Sequence, residues 1–206
     1  MKTLFTCLLV LAVAGAASAQ QTMTYGWEDG GEMLGCYSCE GMAYYNDNSF
    51  SLVGSASLAI TEVPGNTTTP QAYVAWITGL SEGDQVTASF DVYDDTVGAN
   101  PSIRIWGHYA SDTDINAYSG SAGGNSTYSG AVGGWENLSY TFTIGAGQTA
   151  LVVEARPYES TSATVTQYLW IDNLVVTAPD GATIHMVDGT VSDEDSSWSG
   201  VKALFR

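Results

Sequence analysis

Between Gln85 and Tyr93 the side chains Val86, Ala88, Phe90 and Val92 alternate without a break with Thr87, Ser89, Asp91 and Tyr93. A period of two puts the first set on one face of an extended strand and the second on the other, which no helix can do. One face is therefore apolar and has to be buried against another layer of the molecule. The same signal recurs over Ser55–Thr61, Ala72–Thr78, Ser102–Tyr109, Glu136–Ile144, Ala150–Tyr158 and Gln167–Thr177, between turns rich in Gly, Asn and Asp. Many short strands within about 155 residues predict an all-β protein, an antiparallel two-sheet β-sandwich or a barrel, forming one domain over 20–187.

Alternation also assigns faces. Ile103 and Ile105 point inward, which sends Arg104, Trp106 and His108 outward. Leu151, Val153 and Ala155 are core, and Glu154, Arg156 and Tyr158 are not. In Ala72–Thr78, Tyr73 and Ile77 are expected inward and Trp76 outward. Ser119–Gly134, rich in Gly, Ser and Asn, reads as a long surface loop.

The two ends of the chain read differently from its centre. Met1–Ala19 has Lys2, an apolar run from Leu4 to Ala14 and a small-residue end, the three parts of a signal peptide, and implies a secreted or cell-surface protein. The apolar run falls short of the roughly 20 residues that span a bilayer, so no membrane insertion is expected. Residues 188–206 form an acidic, Ser-rich linker and a short tail in which Trp198, Val201, Leu204 and Phe205 recur at helical spacing. That tail resembles the terminal signatures some bacteria place on exported proteins, which makes surface-sorting machinery an expected partner.

Cys36 and Cys39, spaced C-x-x-C in a Gly-flanked loop, suit a small loop-closing disulfide in an oxidising compartment. Metal binding and redox chemistry are the alternatives; neither His108 nor His185 has ligand spacing to the pair, and no helix-opening context surrounds it. The chain has 22 acidic and 5 basic residues, a formal net charge of −17. Such a polyanion lacks the Lys/Arg contacts that neutralise phosphates, which excludes nucleic acid and anionic membrane as partners. Solubility and an affinity for calcium both remain open as reasons for the acidity.

No G-x-S-x-G elbow, P-loop or H-E-x-x-H motif is present, and nothing places a Ser beside either His. The chain is accordingly read as a non-enzyme. What the outward set does offer is a mixture of aromatic rings and hydrogen-bonding groups: Trp76, Tyr93, Arg104, Trp106, His108, Glu154 and Arg156. Sugars stack their C–H faces on rings and exchange hydrogen bonds with such groups, so these seven are the candidate ligand contacts.

Four segments carry a family resemblance. Gly26-Trp27-Glu28-Asp29-Gly30, Gly54–Ile60, Gly79–Val86 and Tyr168-Leu169-Trp170-Ile171-Asp172-Asn173-Leu174-Val175-Val176 follow in the order of the motifs of jelly-roll carbohydrate-binding modules, families 4 and 9 and their galactose-binding-like relatives. The resemblance implies a secreted, non-catalytic module that binds polysaccharide or a cell-surface glycan. It also implies a structural Ca²⁺ tying the first strand to the last through Glu28 and Asp172. A structural or adhesive surface protein is the alternative, with a glycoside hydrolase third.

Overall fold

A computed structural model of the chain describes residues 19–94, 102–130, 133–158, 167–187 and 189–190. The expected signal peptide before Ala19 and nearly all of the linker and tail lie outside these residues. The strands run in chain order: β1 Gln20–Tyr25, β2 Gly35–Tyr37, β3 Met42–Asp47, β4 Ser57–Glu62, β5 Gln71–Thr78, β6 Gln85–Asp94, β7 Ser102–Ala110. They continue with β8 Gly120–Gly124, β9 Gly134–Thr143, β10 Ala150–Tyr158, β11 Leu169–Pro179, β12 Thr183–Met186 and β13 Gly189–Thr190. A single turn of 3₁₀ helix covers Cys39–Gly41.

Two antiparallel sheets result, as expected for the jelly roll. One has the order β3-β4-β11-β6-β9 with β1 also on β11; the other is β13-β12-β5-β10-β7-β8 with β2 also on β5. Their inner faces meet in one core in which Leu58, Ile60, Ile77, Phe90, Ile103, Ile105 and Phe142 are fully buried. Each such side chain contributes about 1.5–3 kcal/mol of burial. Phe142 fits because β7 has Gly107 below it, where a Cβ would come within 2.7 Å of the Phe142 ring.

Two long strands have split edges. β11 is paired over Leu169–Ile171 with β4 and over Leu174–Pro179 with β1, while β6 takes its other edge. The pairing with β6 shifts between Asp172 and Val175, and Asn173 sits there in the left-handed region at φ 50°. β5 is shared in the same way between β2 and β12.

Two expectations are corrected. Tyr73 is buried, but on the outer face and not between the sheets: a bulge lets Val153 pair with Ala75 but Glu154 with Tyr73, so Val74 turns inward and Tyr73 outward beside Glu154. The supposed loop Ser119–Gly134 contains β8, paired with β7. Its sequence, Gly-Ser-Ala-Gly-Gly, has no alternation to reveal a strand; glycine is required there because a Cβ on Gly124 would collide with the Ile105 carbonyl oxygen and the Trp106 backbone. The seven-stranded sheet also runs past residue 187, through the pairing of Met186 with Gly189 and His185 with Thr190.

Candidate functional site

The outer face of the seven-stranded sheet is where chemistry gathers. In the β10–β7 register Val152 lies opposite His108, Glu154 opposite Trp106 and Arg156 opposite Arg104, all on this face. Glu154 is wholly buried, yet it is not alone: its Oε1 is 2.5 Å from Nδ1 of His108, and its Oε2 accepts from Nε of Arg156 at 2.5 Å. With the Gln71 amide turned to satisfy its neighbours, its nitrogen donates to both Glu154 oxygens at 3.2 and 3.3 Å and its oxygen accepts from Nη2 of Arg156 at 3.2 Å. A buried carboxylate is tolerable only with such partners. Burial, and after it the Glu154 charge, push the hydroxyl of neighbouring Tyr73 up to about 12, Arg156 offsetting part of the rise. Tyr73 therefore stays a protonated hydroxyl at neutral pH.

Above this floor lies a cleft of about 530 Å³ lined by Tyr37, Gln71, Tyr73, His108, Asn116, Tyr118, Ser121 and Arg156. Tyr37 stands on β2 and Tyr118 in the loop between β7 and β8, and both are more than half exposed. The Tyr118 ring is 5.6 Å from His108. Tyr37 is presented by the loop that the Cys36–Cys39 disulfide closes, the Cα atoms 5.5 Å apart, so the expected disulfide is present. Cleft size and lining match a small-ligand site: rings for stacking, a few fixed polar groups for orientation.

Beside the cleft Trp106 lies under both arginines, Cζ of Arg104 4.4 Å and Cζ of Arg156 4.8 Å from its ring. Its indole N–H donates to the Ser121 hydroxyl at 3.1 Å. Arg104 is further held by the Tyr128 ring at 4.9 Å and by Tyr158, whose hydroxyl accepts from Nε at 2.9 Å.

Of the seven candidate contacts, His108 and Arg156 line the cleft, Glu154 supports it from beneath, and Arg104 and Trp106 border it. Trp76 and Tyr93 are not brought there. Trp76 packs with Leu34, Ile115 and Val152 in a small apolar cluster on the same face and stacks on His185 at 4.6 Å. Burial holds the His185 imidazole below its usual range. Tyr93 belongs to the other sheet, because β6 pairs with β11 and β9. There it meets Phe50, Trp135 and Trp170, with ring centroids 4.8–6.1 Å away. Period-two alternation fixes which side of a strand a residue occupies, but not which of two sheets the strand joins. Tyr37, Gln71, Tyr73, Asn116, Tyr118 and Ser121 escaped sequence reasoning; the available signal was an aromatic residue in each of two polar, Gly- and Ser-bearing loops.

Glu28 and Asp172 do come together at the junction of first and last strands, but with donors and not with a cation's ligand set. Glu28 Oε1 accepts from the backbone N–H groups of Ser55 and Ala56 at 2.9 and 3.2 Å; Oε2 accepts from the Ser55 N–H at 2.9 Å and its hydroxyl at 2.6 Å. The Ser55 hydroxyl, then the backbone N–H groups, hold the Glu28 carboxyl below its usual range. Asp172 Oδ2 accepts from Leu52 and Val53 N–H at 2.8 and 2.9 Å, and its Oδ1 from Asn173 N–H at 2.6 Å. The two acids clasp residues 52–56 to the gap where β11 passes from β4 to β1. A Ca²⁺ site takes 6–8 oxygens with free lone pairs, and those of Glu28 are already spent. Among the described residues no group of three or more His, Cys, Asp or Glu converges on one point. As they stand here, Glu28 and Asp172 are held by these donors, an arrangement that does not require the expected calcium.

No family model matches the chain, and no curated protein is significantly similar to it. In three dimensions it is similar to the CBM22-1 xylan-binding domain from Paenibacillus barcinonensis Xyn10C, with a TM-score of 0.53 at 17% identity over 80% of this chain and 98% of that domain. The CBM22-2 xylan-binding domain from the same Xyn10C gives 0.50 at 17% identity over 76% and 98%. At that identity the likeness is one of fold, and it corroborates the jelly-roll β-sandwich.

Proposed function

We propose that the protein is a non-catalytic glycan-binding module whose site is the cleft on the outer face of the seven-stranded sheet. The observation that carries the reading is the cleft's composition: exposed Tyr37 and Tyr118 as walls over the fixed Arg156–Glu154–His108 floor. Rings in these positions offer stacking surfaces to sugar C–H faces, and the Arg, Gln, Asn and Ser groups offer partners to hydroxyls. The fold neighbours described as xylan-binding lend support to a polysaccharide as the ligand. Binding is favoured over hydrolysis because glycosidic cleavage uses two carboxyls on either side of the bond. The side chains lining the cleft include no carboxylate, and Glu154 beneath them is fully engaged.

Export belongs to the same proposal. The signal-like Met1–Ala19 supports it, as does a disulfide that persists in oxidising compartments; surface attachment through the 188–206 tail is its extension. The test is electrophoresis in gels containing a panel of soluble polysaccharides. Retardation by at least one polymer, lost in a Tyr37→Ala/Tyr118→Ala double variant, is expected. Unchanged mobility across the panel would refute glycan binding and favour a structural or adhesive role.

A further inference from the structure

Arg104 and Arg156 are the only Lys or Arg residues between 20 and 200 in a chain of net charge −17, and they lie directly opposite each other on β7 and β10. Like charges in facing positions repel. One carboxylate meets the pair, and it is spent on Arg156 and His108. Arg104 has no carboxylate partner among the described residues; it is fixed by the Trp106, Tyr128 and Tyr158 rings and by one hydrogen bond from Nε to the Tyr158 hydroxyl. Ring faces orient a guanidinium and stabilise its charge, but they leave its in-plane N–H groups free. Within so acidic a protein, Arg104 is an oriented, half-buried cation beside a cleft that meets no carboxylate among the described residues, and its N–H groups suit a negative group on a ligand.

We infer that Arg104 receives the carboxylate of a uronic acid, so that the ligand is a largely neutral polysaccharide bearing isolated uronate branches. This rests on the cleft being the glycan site, and it narrows the ligand class. A continuous polyuronate does not fit, since the protein's field would repel every further negative charge along the chain, with a reach of about 10 Å at moderate salt. A wholly neutral polymer would leave Arg104 unused.

The experiment measures affinity of the full chain by titration calorimetry for three polymers: a glucuronoxylan, the same polymer after its carboxyls are reduced to primary alcohols, and polygalacturonate. Expected is binding to the first at least roughly fivefold tighter than to the second, with the third weakest. Arg104→Gln should lower affinity for glucuronoxylan more than for its reduced form, so that the variant binds the two polymers alike; a variant that keeps the preference for the native polymer would overturn the assignment to Arg104. The comparison between polymers needs no variant, so it stands even if Arg104→Gln fails to fold. Equal affinity for native and reduced polymer, or tightest binding to polygalacturonate, overturns the uronate assignment while leaving the glycan site intact. Binding to none of the three overturns it as well, and with the panel result above tells whether the glycan reading falls with it.

Discussion

Replacing Glu154 with Ala removes the carboxylate beneath the cleft and takes a partner from each of three groups that face it, His108, Arg156 and Gln71. The side chains of Glu154, His108 and Arg156 are 0%, 3% and 15% exposed, so water can do little to replace what is lost. Breaking a buried pair from one side costs about 3–5 kcal/mol. A domain of this size loses about 2–4 °C of melting temperature per kcal/mol, so Glu154→Ala should lower Tm by about 6–20 °C. Glu154→Gln preserves the volume and one acceptor oxygen and should cost less, about 1–3 kcal/mol. Chemical denaturation read by Trp fluorescence gives the free energies. A cycle with Arg156→Ala should show a coupling above about 1 kcal/mol. A loss below about 1 kcal/mol for Glu154→Ala, with additive effects in the cycle, would refute the view that these three side chains form one buried unit.

Further outcomes test other parts of the structure. Melting temperature in excess calcium and in excess chelator should agree within about 1 °C, since a ligand stabilises only through a site in the folded state and Glu28 is saturated by N–H and O–H donors; a calcium-dependent rise of several degrees would contradict the fit. Glu28 is held below its unfolded value of 4.5 and His185 below 6.5, so in both cases the unfolded chain binds protons first as pH falls. Denaturation midpoints should therefore decline below pH 6.5 and more steeply below 4.5, and Glu28→Gln should flatten the second step. Gly124→Ala should cost about 1–3 kcal/mol through collision of its Cβ with β7 backbone, whereas Tyr118→Ala, at an exposed position, should leave Tm unchanged and weaken glycan binding.

Much of the sandwich was legible in the chain because a half-buried strand must alternate, and Gln85–Tyr93, Ala150–Tyr158 and Ser102–Tyr109 do. Elements that lack alternation were hidden. β8 is a run of small residues in close approach to Trp106, and β2 and β12, of three and four residues, are too short for alternation to mark them. Orientation failed at Tyr73, where one extra residue in β5 reverses the faces. The site was half legible for a related reason. Arg104, Trp106, His108, Glu154 and Arg156 come from two facing strands whose outward sets are readable one at a time. Tyr37 reaches the cleft from the short edge strand β2 and Tyr118 from a loop, and no local pattern tells where such segments return to the sheet. Glu28 and Asp172 show the converse: the resemblance brings the right acids together, and no sequence pattern tells that backbone amides of residues 52–56 donate to them.

On the reading proposed above, ligand enters the cleft of the seven-stranded sheet and not the aromatic patch of Phe50, Tyr93, Trp135 and Trp170 on the other. Heteronuclear NMR during titration with xylan-derived oligosaccharides reports on both faces at once. Saturable shifts of the Trp106 indole N–H, the Arg156 Nε–H and the backbone amides of Tyr37 and Tyr118 are expected. Shifts confined to Tyr93, Trp135 and Trp170, or none at all, would contradict that reading.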